Sequence, residues 1–142
     1  MTRPGLRLIW LCATALAPGL ASAGALEDCQ RLMQTRLDVT PCLQSAKKAA
    51  TDAMLEEFLG VRQSLERLEA ATGRGGKLAA LKQSQRDFER YMQSQCEVVR
   101  RAYDSGTGAA QAQLACEVDM LRARAALLHE LAPVPEEKKA KE

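Results

Sequence analysis

Four cysteines, Cys29, Cys42, Cys96 and Cys116, stand in a stretch whose apolar residues otherwise recur at helical spacing. A fifth, Cys12, lies in an N-terminal segment with the pattern of a removable leader. An even number of thiols behind an export signal points to disulfides rather than to catalysis or metal ligation. Two cross-links on a short helical chain restrict its fold severely, because each bridge needs Cα atoms within about 4.4–6.8 Å.

The compartment follows from the leader. Arg3 and Arg7 supply a positive start, Leu8 to Ala17 an apolar stretch, and Pro18 with Gly19 a break. Ala21-Ser22-Ala23 is a small-residue cleavage pattern ahead of Gly24. The apolar run is too short to span a bilayer, and no stop-transfer cluster of charge follows it. Bulky Trp10 and Leu11 before Cys12 disfavour a lipid-modified cysteine. Residues 1–23 are therefore expected to be a cleaved signal peptide, leaving a periplasmic or secreted protein with no membrane anchor.

Cleavage also changes the charge. The chain has 20 basic and 18 acidic residues, and loss of Arg3 and Arg7 leaves 18 of each. A neutral domain offers no basic stripe to nucleic acid and no attraction to anionic lipid. What remains is long enough for one domain with a modest core.

Four helices can be read along that domain. The first is short, about Leu26 to Arg36. Thr40 then reads as an N-cap with Pro41 at the first helical position, where a missing N–H costs nothing. Leu43, Ala46, Ala50, Met54, Phe58, Val61, Leu65 and Leu68 follow at spacings of three and four, one face of a helix reaching about Ala71. Thr72-Gly73-Arg74-Gly75-Gly76 stops it. A third helix, Lys77 to about Tyr103, turns Leu78, Leu81, Gln85, Phe88, Met92, Gln95 or Cys96, and Val99 inward. After the turn Asp104 to Gly108, a fourth runs from Ala109 to about Leu131 with Leu114, Val118, Leu121, Ala125 and Leu128 inward. Pro133 and Pro135 end it, and 133–142 is expected to be a disordered charged tail. Short connections make consecutive long helices antiparallel neighbours. The fold expected is all-α: a small antiparallel bundle of three long helices and a short N-terminal one, with 24–132 as the domain.

Helix heights select the disulfides. Cys96 lies eight residues before Asp104 and Cys116 eight after Gly108, so an antiparallel hairpin brings them level. Cys42 would stand about 15 Å of helical rise from that level. The expected bridges are Cys96–Cys116 and Cys29–Cys42. A zinc site fails on spacing, with no Cys-x-x-Cys and a single histidine, His129.

From Cys29 to Leu128 these residues resemble the lysozyme inhibitor LprI N-terminal-like domain family of small secreted helical proteins. The resemblance rests on Gln85, Phe88, Tyr91 and Cys96 in the third helix, and on the turn Ser105-Gly106-Thr107-Gly108. It continues through Cys116, Met120, Arg124 and Leu128 in the fourth, with Thr40 and the opening cysteine pair. Phe88 replaces the usual Trp, Met92 stands where an Arg is common, and the family's Leu-Asn-x-x-Tyr is matched loosely around Met54, Leu55 and Phe58. The resemblance implies binding and inhibition of lysozyme in the cell envelope, with no chemistry and no cofactor.

A neutral domain lacks the bulk charge that would speed capture of a basic lysozyme, so a second reading stays open: an envelope interaction, stress or assembly protein with another partner. Candidate contacts are the acidic residues Glu56, Glu57, Glu66 and Glu69 of the second helix, and the turns carrying Arg74, Asp104 and Ser105. Such charged rows are more commonly solvated faces. Gln85 reads as a satisfied buried amide and Arg124 as a guanidinium held between helices by a carboxylate such as Glu97 or Asp87. No nucleophile elbow, phosphate-cradling loop or zinc-protease motif is present, which leaves no enzymatic reading. Oligomeric state is not legible.

Overall fold

The computed structural model describes residues 24–33, 35, 37–103 and 106–131. The expected signal peptide 1–23, the tail 133–142, Asp104 and Ser105 lie outside the described residues. Four helices make up the rest: α1 (Ala25–Leu32), α2 (Val39–Thr72), α3 (Lys77–Ala102) and α4 (Thr107–Leu131). The all-α expectation holds, and so do both bridges. Cys29–Cys42 has a Cα–Cα distance of 5.8 Å and Cys96–Cys116 one of 5.6 Å.

Three helix boundaries differ from the sequence reading. The first helix stops at Leu32 instead of Arg36, because Met33 turns extended after its N–H closes on the Cys29 carbonyl. Thr35 and Asp38 then tie a tight turn, with the Thr35 hydroxyl donating to Asp38 at 2.6 Å. Asp38, rather than Thr40, flanks the start of α2, its carbonyl accepting from the Cys42 N–H. Pro41 thus falls in the first turn, still where no N–H is required. The Thr40 hydroxyl, freed from capping, accepts from Gln111 Nε2 of α4 at 3.1 Å. The fourth helix begins at Thr107, two residues early, directly after Gly106 reverses the chain at φ 95°.

The α2–α3 turn explains its glycines. Gly73 holds φ 64° and donates its N–H back to the Glu69 carbonyl, a left-handed helix stop that a side chain would strain. Glu69 does the complementary task for the next helix. Its carboxylate accepts from the Lys77 and Leu78 N–H groups at 2.5 and 3.0 Å, satisfying free donors at the start of α3.

Consecutive long helices run antiparallel as expected, but the most extensive interface joins α2 to α4, which are not consecutive. These two run parallel. Thr40 meets Gln111, Lys47 meets Glu117 and Glu57 meets His129, a nearly constant offset of 70 to 72 positions. The α4 helix also touches α1 and α3. Its buried residues Ala109, Ala112, Ala115, Val118 and Leu121 recur every third position, so the buried face turns by about 60° per step around the axis. One helix can thereby serve several neighbours, and its alanines let backbones approach closely.

The core is built from Leu43, Met54 and Val61 of α2, Leu81 of α3, and Val118, Leu121 and Leu128 of α4. Gln95 is exposed and Cys96 buried, which settles the open position on α3. Leu43 and Leu128 are fully buried, and truncating either to Ala is expected to cost about 2–5 kcal/mol.

Replacing Cys29 and Cys42 together by Ser should remove about 3 kcal/mol of loop-closure stabilisation. Hydrogen exchange is expected to accelerate throughout α1 while α2–α4 stay protected. Unchanged exchange in α1 would show that the bridge is not what holds it.

Candidate functional site

Several residues that carry the family resemblance meet inside the bundle. Gln85 is 9 % exposed, and its amide nitrogen faces Met54 Sδ of α2 at 3.4 Å and Glu89 at 3.1 Å. Arg124 reaches across from α4, donating Nε to the Gln85 carbonyl oxygen at 3.3 Å and Nη2 to Ser84 Oγ at 3.1 Å. Its guanidinium lies 5.5 Å from the centroid of Phe88. Arg124 is thus held between helices, but by an amide, a hydroxyl and a ring instead of a carboxylate. Asp87 and Glu97 are engaged along α3 itself, by Arg90 and by Arg100 with Arg101. Partial burial pulls the Arg124 guanidinium down from its ordinary value. Among the described residues no carboxylate pairs with it, and its charge rests on dipoles and the aromatic face.

This node joins α2, α3 and α4 and leaves little of itself for a partner. Leu128, one turn on from Arg124 along α4, is fully buried, and Gly106 precedes the start of α4 with positive φ. Tyr91 is different. It is 59 % exposed and shares the outer face of α3 with Val98, two turns on.

The acidic residues of α2 do not share a face. Glu56, Glu57, Glu66 and Glu69 spread over about 240° of the helix surface. Glu57 meets His129 at 3.2 Å, Glu66 meets Arg62 at 3.5 Å, and Glu69 is spent on the start of α3. Arg74 is exposed in its turn, where its carbonyl accepts from Lys77 Nζ at 2.9 Å.

The end of the bundle where α2 and α4 both begin carries a cleft of about 660 Å³. Gln30 and Met33 line it from α1 and its exit, Thr35 and Leu37 from the loop, and Thr40 and Gln111 from the two parallel helices. Among the described residues no charged side chain lines it. Leu37 on its rim is 86 % exposed, and nearby Leu32 is 69 % exposed. The loop bearing Leu37 is closed between Cys29 and Cys42, a separation of 13 positions, so these leucines are displayed on a tethered segment. Sequence periodicity could not single them out. The available signal was two leucines between Cys29 and Cys42, one at the end of α1 and one in the loop that follows it.

Among the described residues no group of three His, Cys, Asp or Glu stands where it could hold a metal ion, and no helix is long and apolar enough to cross a membrane. A family model described as lysozyme inhibitor LprI matches residues 27–128. No curated protein and no solved structure matches the chain.

Two outcomes test this geometry. Arg124→Ala strands the buried Gln85 carbonyl oxygen and should lower stability by about 1–3 kcal/mol, measured by denaturant unfolding. Glu97, hydrogen-bonded by Arg100 and then Arg101, is held down from 4.5 to about 2. A folded pKa below the unfolded one means its stabilisation is present above pH 4.5 and lost as pH falls toward 2. A carbonyl-detected NMR titration should find Glu97 ionised at pH 3, where Glu97 protonated at pH 4 would refute the bridge in solution.

Proposed function

This chain belongs to the lysozyme inhibitor LprI family, and from that premise we propose that it is an exported protein that inhibits lysozyme by non-covalent binding. The observation that carries the reading is the family match over 27–128, the span that also contains both disulfides. The leader pattern of 1–23, with cleavage after Ala23, supports a periplasmic or secreted site of action, and 24–132 is the binding domain. Bridges of this kind persist in that compartment and are rare in the cytoplasm.

The contact surface we assign is the cleft end. A convex, tethered pair of leucines beside a concavity suits recognition by shape, with an apolar anchor and a polar rim. Neutral mature charge fits a partner captured through such an anchor rather than by long-range attraction. The same neutrality favours the second reading, an envelope interaction protein whose partner is not lysozyme.

Oxidised protein purified from the periplasm is expected to slow lysis of cell-wall suspensions by at least one lysozyme type. Leu37→Asp should weaken that inhibition by about tenfold or more, the loss of one buried apolar anchor, while Tyr91→Ala on the far face of α3 leaves it unchanged. Absence of inhibition across several lysozyme types at excess protein would overturn the lysozyme reading, and a pull-down from envelope extract would then read out the second.

A further inference from the structure

The start of α1 is held by a carboxylate from the opposite end of the sequence. Asp119 of α4 accepts the Ala25 N–H on Oδ1 at 2.9 Å, and Ala25 is 1 % exposed. The other oxygen, Oδ2, faces Gly24. A Cβ on that glycine would stand 3.0 Å from it, so the close approach suits glycine. The Gly24 nitrogen then lies within about 5.5 Å of Oδ2, since Cβ and N on one carbon are about 2.5 Å apart.

We propose that Asp119 is the receptor for the α-ammonium group that leader cleavage creates on Gly24. In the uncut chain that nitrogen is a neutral amide. Hydrolysis adds water across the Ala23–Gly24 bond, the leader departs with the new Ala23 carboxylate, and the Gly24 amine takes up a proton. A positive charge thereby appears beside Asp119. It would otherwise be poorly placed, because the start of a helix disfavours cations. Glu27 and Asp28 in the first turn of α1 oppose that penalty alongside Asp119. The nearby cation, Arg122, is drawn toward Asp28 at 3.6 Å and stands 3.9 Å from Asp119 Oδ1. On α2, Lys47 is occupied by Glu117 at 2.5 Å. Processing thus adds an ion pair to the cap and the disulfide that already fasten α1. The device operates while the amine is charged. A raised folded pKa makes its contribution full below the ordinary amine range of about 7.7–8.0 and lost as pH rises through the folded value.

This inference rests on the export reading, and its test separates the two. The full chain is exported, recovered from the periplasm and weighed intact; a mass beginning at Gly24 is expected, and one beginning elsewhere overturns the proposal. Titration of the Gly24 amine by NMR should place it above the ordinary range, and Asp119→Asn should return it there. The Asn Oδ1 still accepts from Ala25, so α1 stays capped. Acylation of the Gly24 amine near neutral pH should be several-fold slower in the wild type than in D119N. An amine that titrates normally, or acylates equally fast in both, overturns the proposal whatever the protein does to lysozyme.

Discussion

The parallel contact between α2 and α4 is the constraint on which the other placements depend. It needs small residues on α4, and Ala109, Ala112 and Ala115 supply them on a buried face that winds around the axis. Because that face is not a single stripe, α4 contacts α1, α2 and α3. The two disulfides then act at its flanks. Cys96–Cys116 fixes α3 against α4, and Cys29–Cys42 fastens α1 to the start of α2. Removing large side chains from this axis would leave cavities, whereas enlarging its alanines would push the helices apart.

Polar groups inside this arrangement serve the scaffold. Gln85, Phe88 and Arg124, with Met54 of α2, form a three-helix junction, with the Arg124 charge solvated by an amide, a hydroxyl and a ring. Glu69 caps α3 across the turn, and Asp119 caps α1 across the bundle. Such groups specify which helices meet and at what height. The recognition surface proposed above, the cleft end with its exposed leucines, takes no part in these contacts.

Much of the scaffold was legible in the sequence because it is local. Spacings of three and four located the long helices, and helix rise placed Cys96 level with Cys116. The parallel α2–α4 pairing was not legible, since contacts 70 positions apart leave no period. Helix starts shifted where side chains had other partners: Asp38 is bound by Thr35, and Thr40 by Gln111. Charge matching misled the reading of Arg124, because Asp87 and Glu97 had closer partners on their own helix. The acidic residues of α2 looked like a patch in one dimension but point in different directions around the helix. The cleft escaped notice for a simpler reason, being assembled from α1, the following loop, α2 and α4.

On the proposed reading, the interior holds the scaffold together while the cleft end meets the partner. Its most direct test is hydrogen exchange of the oxidised protein, free and saturated with an inhibited lysozyme. New protection is expected, confined to residues 33–40 and 107–111. Protection on the Tyr91–Val98 face of α3, with the cleft end unchanged, would contradict it.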